Sequence, residues 1–210
     1  MTIEKDFFRQ VMGQFTTGVS VVTTRSDEGL AGLTVNSFTS VSLDPPLVLC
    51  CIDLRSNVLP FFRASGTFAV NILTSEQEAL SRCFATSSQE RYENFCHANY
   101  HIAATGSPIL DGALAFIDAR IVAEYPGGDH VIFLGQVVAM GTDGRATFAN
   151  EIDKEHSTLT EWSNDEPGEA YLLHGRGLKL PLVYYRAQYR HLTQDYQRPS
   201  LAAYYDEDFE

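Results

Sequence analysis

Two runs of alternating apolar and polar residues, joined by the segment PGGD, constrain the fold of this chain more than any other feature. They are ALAFIDARIVAEY, which begins at Ala113, and HVIFLGQVVAM, which begins at His130. Alternation with a period of two predicts β-strands. Two glycines and an aspartate between such runs predict a tight hairpin. The centre of the fold is therefore predicted to be antiparallel sheet.

Further strands and a few short helices are predicted on either side of this hairpin. The strands are GVSVVTT, LVLCCID, TFAVNIL and PLVYYRAQYR, the last interpreted as a single strand. LAGLTVNSFTSVSL is interpreted as one or two strands, which could contain a bulge. The helices are EKDFFRQVMGQF, a helix that Ser56 caps and Gly66 ends, and a helix that opens with a Ser75–Glu78 capping box. Regular strand–helix alternation is missing, so we expect a small closed barrel rather than a doubly wound sheet.

The composition suits one globular domain and argues against polyanionic partners. The chain has 210 residues, 44% of them hydrophobic, and 15 basic against 27 acidic residues give a net charge of -12. A field of this sign repels nucleic acid and anionic membranes, so neither is expected as a partner. The N-terminal MTIEKDFFRQVM lacks an apolar signal core, and no run reaches the roughly 20 apolar residues of a membrane span. A cytoplasmic location follows as an expectation.

The cysteines and histidines predict neither a disulfide framework nor a metal site. Cys50 and Cys51 are neighbours on a predicted strand and point to opposite faces, as small buried hydrophobes in a reducing compartment do. Cys96, His97 and His101 lie in CHANYH, but one cysteine with two histidines and no partner pair is a weak metal pattern. We expect no metal there, only a polar helix end or loop. Phosphate-loop, dinucleotide-loop, nucleophile-elbow and zinc-protease motifs are also missing.

The stretch GLTVNSFTSVSLDPPLVLCCID places a hydroxyl-rich rim beside an apolar strand. Such a rim suits a flat aromatic ligand with polar edges, because backbone and side-chain groups can pair with its heteroatoms while the wall covers its face. The alternative is that these side chains only cap strand ends and satisfy a bulge. The spacing leaves both readings open.

Several segments, in order, resemble the flavin reductase-like family of FMN-binding split barrels. They are FRQVMGQFTTGVSVVTT, the stretch above, RSNVLPFFRASGTFAVNIL, EQEALSRCFA, GSPILDGALAFIDARIVAEYPGGDHVIFLGQV and PLVYYRAQYR. The resemblance implies a mainly β fold, a six-stranded antiparallel split barrel with short flanking helices, working as a homodimer. It also implies NADH- or NADPH-dependent reduction of FMN or FAD, with the reduced flavin supplied to a partner oxygenase.

The resemblance further implies a set of cofactor-binding residues and one catalytic residue. Its flavin-ring contacts are Thr34, Val35, Asn36, Ser37, Ser40, Val41, Cys51 and Ile52. Its phosphate or adenylate contacts are Arg55, Ser56, Asn57, Phe84, Ala85 and Arg91. His130 would lie on the nicotinamide side. Donors near the flavin N1 and O2 would stabilise the anionic reduced ring. Alternatives remain: surface charges for Arg55 and Arg91, and a locally bonded hairpin histidine for His130.

We interpret residues 1–190 as one domain, with an acidic insertion at 141–180 and a tail at 191–210. The insertion holds Trp162, His156 and His174, which would suit a lid over the pocket. This allows a second hypothesis, a flavin protein that acts directly on an organic substrate as a self-contained oxygenase. A third is a non-catalytic flavin carrier. The acidic insertion would also suit a basic partner oxygenase.

Overall fold

A computed structural model describes residues 3–142, 145–150, 154–155, 157–159 and 179–192. Its helices are short: α1 (Lys5–Met12), α2 (Leu59–Ser65), α3 (Glu78–Ala85) and α4 (Gln89–Tyr92), with 3-10 turns at Ser75–Gln77 and Phe95–His97. Within these ranges no helix has the length and apolar character needed to span a membrane. Trp162, His156 and His174, predicted as parts of a lid, lie outside the described residues.

Most of the described chain is strand. The strands are β1 (Thr17–Gly18), β2 (Ser20–Ser26), β3 (Gly29–Val35), β4 (Thr39–Leu43), β5 (Pro46–Asp53), β6 (Thr67–Ile72), β7 (Tyr100–Ile102), β8 (Pro108–Leu110), β9 (Ala115–Gly127), β10 (His130–Thr142), β11 (Arg145–Phe148), β12 (Leu182–Tyr185) and β13 (Gln188–His191).

The main sheet has the order β3-β2-β6-β9-β10-β5-β4, with β11 paired to the far end of β10. Each pairing in it is antiparallel. The β9–β10 hairpin carries two register shifts, and such bulges bend a sheet. The predicted mainly β, antiparallel fold with short flanking helices is confirmed. The sheet has seven strands along this path and β11 beside it, where the prediction gave six.

The split lies between the two ends of this sheet, where residues 36–38 connect β3 directly to β4. Ser37 closes the gap with its side chain. Its Oγ donates to the carbonyl of Cys51 on β5 at 3.1 Å and accepts from the Cys51 N–H at 3.2 Å. One hydroxyl therefore replaces a missing strand partner, which keeps this part of the rim attached to the barrel wall.

The barrel interior is filled by aromatic and β-branched side chains. Phe62 of α2 lies between Phe68 and Phe133, with ring centroids 6.0 and 5.7 Å away. All three are essentially inaccessible to solvent. Full burial of such a side chain stabilises by about 1.5–3 kcal/mol, so Phe62 holds α2 against the core of the sheet.

Three local predictions are wrong in instructive ways. PLVYYRAQYR is a hairpin, not one strand: Arg186 and Ala187 adopt left-handed φ values of 51 and 57, and β12–β13 joins β1 in a separate three-stranded sheet. The capping box is formed by Thr74 and Gln77, one residue earlier than Ser75 and Glu78.

Ser56 does not cap α2. This helix begins at Leu59, with Val58 as its N-cap, because Pro60 is tolerated only in the first turn. The predicted placement of Ser56 and Asn57 at a helix N-terminus is therefore wrong. The predicted stop is confirmed, since Gly66 follows the helix with a φ of 66.

The expectation of four unpaired thiols is also wrong. Cys83 and Cys96 form a disulfide, with their Cα atoms 6.0 Å apart. Packing brings them together, because Phe84 and Phe95 meet edge to face at 5.1 Å and each cysteine is the chain neighbour of one ring. Cys50 and Cys51 are free, as predicted, and Cys50 is buried.

Candidate functional site

The tip of the β9–β10 hairpin lies against the end of β5, so two predicted motifs meet. His130 is the register partner of Asp53, and the Leu54 N–H donates to the Asp129 carbonyl at 3.0 Å. GGDH and RSN, which are more than 70 residues apart in the chain, thus form one surface at the end of the barrel.

Charge at this surface is largely neutralised within the chain. Arg55 donates to Asp53 through Nε at 3.1 Å, Nη2 at 2.8 Å and its own backbone N–H at 2.8 Å. These bonds hold the pKa of the Asp53 carboxyl well below its usual range. Arg55 is therefore an exposed cation that already has a full carboxylate partner.

His130 is oriented by its neighbour. Its Nδ1 lies 2.7 Å from Oδ1 of Asp129, and this hydrogen bond lowers the pKa of the Asp129 carboxyl. Nε2 has no hydrogen-bond partner among the residues that the structure describes. The imidazole thus keeps one nitrogen free on a side chain that is 42% exposed, as a ligand contact requires.

Arg91 is placed very differently from Arg55. Only 6% of the residue is exposed, and its Nε donates to the Gly32 carbonyl of β3 at 2.9 Å. Desolvation lowers the pKa of its guanidinium. Within the described ranges no carboxylate pairs with it. A buried cation whose only fixed acceptor is one carbonyl has donors left for an anion.

Asn57 connects the β5 end to the α4 region. Its Nδ2 lies 3.5 Å from the hydroxyl of Tyr92, whose ring lies 5.1 Å below the Arg91 guanidinium carbon. Contacts therefore run from Arg91 through Tyr92 to Asn57, which follows the end of β5 by four positions. Since His130 is paired with Asp53 at that strand end, the predicted residues Asn57, Arg91 and His130 are connected through it.

The hydroxyl-rich rim is partly used by the fold itself. Thr34 Oγ1 donates to the Ser81 carbonyl of α3 at 2.6 Å, and Ser37 binds Cys51. The side chains of Thr34 and Ser37 thus make hydrogen bonds within the fold, as the alternative interpretation of the rim predicts. Asn36 is exposed, and no described residue binds its amide. Ser40 and Val41 are exposed on β4, next to the predicted bulge.

Several predicted contacts can reach a ligand only through their backbone. The side chains of Ile52 and Phe84 are fully buried in the barrel core and in the cluster beneath α3, and Val35 is 8% exposed. Cys51 is half-buried, which raises the pKa of its thiol. Because packing between sheet and helix buries the side chains of Ile52 and Phe84, their assignment as ligand contacts stays a prediction that concerns their backbone groups.

Sequence reasoning missed three groups in this region: the Asp53 carboxylate, the Tyr92 hydroxyl and the Gly32 carbonyl. Asp53 carried a signal, since it ends a predicted strand and stands two residues before Arg55. The other two carried none, because their contacts cross 35 and 59 positions of chain.

A cleft of about 580 Å³ lies beside this region, between the end of α3 and the β12–β13 hairpin. Its lining residues are Arg82, Ala85, Thr86, Tyr184, Ala187, Gln188 and Tyr189. Predicted ligand residue Ala85 belongs to it. Its one arginine is already paired with Glu78 and stacked on Tyr189 at 4.5 Å, so the cleft offers less free charge than the Arg91 region.

The candidate metal residues do not converge. Cys96 is in the disulfide, His97 pairs with Glu90 at 2.7 Å, and His101 lies 3.3 Å from Asp111. In the described part of the chain there is no group of three metal-ligating side chains.

Comparisons with known proteins agree with this arrangement. The chain is 38% identical over 138 residues to the reductase subunit of a flavin-dependent monooxygenase from Mycobacterium tuberculosis, covering 66% of this chain and 72% of that protein. It is 32% identical over 160 residues to the actinorhodin polyketide dimerase of Streptomyces coelicolor, covering 76% and 89%.

A solved structure and a family model place the fold in the same group. The structure is the NADH:FAD oxidoreductase of Streptomyces globisporus C-1027 with NAD and FAD fragments, with 30% identity, a TM-score of 0.68, and coverage of 92% of this chain and 96% of that one. The family model described as "Flavin reductase like domain" matches residues 12–193. This chain belongs to the flavin reductase-like domain family.

Proposed function

We propose that this protein is an NADH-dependent flavin reductase that reduces FMN or FAD and supplies the reduced flavin to a partner monooxygenase. The observation that carries the proposal is the family match over residues 12–193, nearly the whole described chain. The relatives named above as a monooxygenase reductase subunit and as an NADH:FAD oxidoreductase give the reaction and the reductant.

The residues at the barrel end fit a flavin phosphate and an isoalloxazine edge. Arg91 is a buried cation with N–H donors available to a ligand, and the side chain of Tyr92 connects it to Asn57. We assign the phosphate to these two, and to Arg55 and Ser56 only secondarily, because Arg55 is neutralised by Asp53. Asn36 and the backbone of residues 34–37 are assigned to the ring edge.

Hydride transfer asks little covalent chemistry of the protein. When bound, flavin supplies the hydride acceptor, and this chain positions the reactants and stabilises the charge that develops. Asn36 and nearby N–H groups would stabilise that charge. His130, fixed through Nδ1 by Asp129, would have Nε2 available for the nicotinamide carboxamide.

A homodimer is proposed on the evidence of α1 and of Phe15, which lies three positions after the end of this helix. The apolar side chains of Phe7, Phe8, Val11, Met12 and Phe15 are 52–70% exposed. Contiguous apolar patches of this kind mark protein interfaces. Sedimentation should give twice the mass of 23.3 kDa, and Phe7→Glu with Val11→Glu should give the monomer. The cytoplasmic location stays a prediction.

The test is an anaerobic titration of the purified protein. With FMN or FAD present, NADH should bleach the flavin absorbance stoichiometrically. His130→Gln should lower kcat/KM for NADH about tenfold while flavin affinity is kept, because general positioning contacts contribute at least this much. Binding of flavin without reduction by NADH would instead identify a flavin carrier.

One comparison favours a second candidate. The polyketide dimerase relative is covered over 89% of its length, and its name describes action on an organic substrate. A protein of this kind would retain its flavin on gel filtration and consume an aromatic polyketide together with NADH. A reductase would release the flavin and show no dependence on such a substrate.

A further inference from the structure

The segment between Cys83 and Cys96 is closed into a loop by their disulfide. This loop contains Arg91, to which the flavin phosphate is assigned, and Ala85, a predicted contact that lines the neighbouring cleft. Both cysteines are half-buried, and Cys96 packs against the cluster that contains Phe84 and Phe95, so the bond lies at the edge of this cluster. The disulfide thus closes the segment that carries Arg91, the buried cation of the proposed site.

The far end of the loop is a strained turn. Phe95, Cys96 and His97 have consecutive φ values of 48, 53 and 51. The left-handed region is unfavourable for residues with a Cβ, so such a run persists only where its surroundings impose it. Two ties do so here: the disulfide, and the packing of Phe95 against Phe84 and Tyr100 at 5.1 and 5.7 Å.

The loop is coupled to β3 at two points, because Arg91 donates to the Gly32 carbonyl and the Phe84 ring lies over Gly32. Just before the loop, the Ser81 carbonyl of α3 accepts from Thr34. A Cβ on Gly32 would approach Cε1 of Phe84 to 2.8 Å, so the fit is close. Relaxation of the strained turn would therefore be transmitted to Arg91 and to the start of the rim.

We propose that Cys83 and Cys96 are a reversible redox site that sets the affinity for flavin. The disulfide holds the 95–97 turn and keeps Arg91 against β3. The dithiol releases the turn, loosens the loop and weakens the hold on the flavin phosphate. This inference rests on the proposed function, because it needs flavin to bind beside Arg91.

The redox steps balance with oxidants and reductants of known class. Forming the S–S bond removes two electrons and two protons from the two thiols, and hydrogen peroxide accepts them to become two waters. A flavin reductase is a source of that peroxide, because O₂ takes two electrons and two protons from reduced flavin. A dithiol reductant reverses the step by exchange through a mixed disulfide and is itself oxidised.

The consequence is a feedback on reduced flavin. Where the partner oxygenase does not consume it, peroxide accumulates and closes the Cys83–Cys96 bond. The enzyme then holds its flavin more tightly and releases less to react with O₂. Where the flavin is consumed, a dithiol keeps the site open.

The test compares the full-length protein after peroxide treatment and after dithiothreitol, each desalted before FMN is titrated by fluorescence. Reduction should raise the Kd for FMN about fivefold or more, the size of a typical coupling between sites. Cys83→Ser should match the reduced protein and ignore dithiothreitol. Cys50→Ala, which removes a core thiol, should keep the response.

Two results would overturn the inference alone: equal Kd values in both redox states, or peptide mapping that finds residues 83 and 96 unlinked after peroxide. If Cys83→Ser does not fold, the reversible comparison on the unaltered protein decides the matter. If neither the oxidised nor the reduced protein bound FMN, FAD or riboflavin, the proposed function would be overturned as well.

Discussion

Two charged side chains are buried in the described part of the chain, Asp118 in β9 and Arg91 in α4, and they are treated in opposite ways. Asp118 accepts from the N–H groups of Ala104 and Thr105 at 2.7 and 2.8 Å, and from the Thr105 hydroxyl. Arg91 has one fixed acceptor, the Gly32 carbonyl. A buried ionisable group whose hydrogen-bond partners the chain supplies belongs to the structure, whereas one left with free donors indicates a site for a ligand.

The largest expected effect concerns Asp118. Asp118→Ala leaves three donors without their acceptor and should lower the free energy of unfolding by about 3 kcal/mol. Flavin affinity per folded molecule should stay the same. Chemical denaturation and FMN titration measure the two quantities. A large loss of affinity with little loss of stability would mean that Asp118 belongs to the site.

The pH dependence of stability tests the same residue. Burial raises the pKa of Asp118 from 3.8 to about 6. Between these values the folded state holds a proton that the unfolded state has released. The resulting contribution to the free energy of unfolding is complete below pH 3.8 and is lost as the pH rises through about 6. It amounts to at most about 3 kcal/mol. Asp118→Asn should remove it, and parallel pH profiles for the two proteins would contradict the assignment.

Arg91 should control phosphate binding. Loss of hydrogen bonds to a charged group costs about 1.5–3 kcal/mol, so Arg91→Ala should weaken FMN binding about 10- to 100-fold. Arg91→Lys should keep part of the affinity. Riboflavin, which has no phosphate, is the control ligand, and its Kd should change much less. Equal losses for FMN and riboflavin would indicate that Arg91 acts only through the fold.

Gly32 tests whether the position of Arg91 matters. The added Cβ in Gly32→Ala meets Phe84 at 2.8 Å, and overpacking of this kind costs about 1–3 kcal/mol. FMN affinity should fall as well, because Arg91 is bonded to the Gly32 carbonyl. Gly135→Ala is the matched control: its Cβ meets Phe68 at 2.6 Å inside the barrel. It should destabilise the fold and leave FMN affinity unaltered.

Arg55 should give the smallest effect. Its side chain is 87% exposed and its charge is matched by Asp53, so its interaction with a phosphate is screened and partly cancelled. Arg55→Gln should change the Kd for FMN less than about threefold. Calorimetric titration at two salt concentrations measures this. A tenfold loss of FMN affinity would instead assign the phosphate contact to the end of β5 and not to Arg91.

The sequence by itself determined the strands, the PGGD hairpin and the family. Alternation, β-branched residues and hairpin glycines act over a few positions, so each can be seen in a short window. A small antiparallel barrel followed from the absence of regular strand–helix alternation, and the count of six strands was implied by the resemblance to the family. The sequence also indicated which segments carry polar groups, from Thr34 to His130, and the structure brings several of these segments to one end of the barrel.

Only the tertiary structure decided which of those groups remain free. Thr34 and Ser37 are hydrogen-bonded to Ser81 and Cys51, and Phe84 is in the core. The charge of Arg55 is paired with Asp53, whereas Arg91 has no carboxylate partner among the described residues. Neither the Cys83–Cys96 disulfide nor the β12–β13 hairpin was predicted from the pattern of the sequence. Burial and hydrogen-bond partners depend on side chains distant in the chain, and local periodicity carries no record of them.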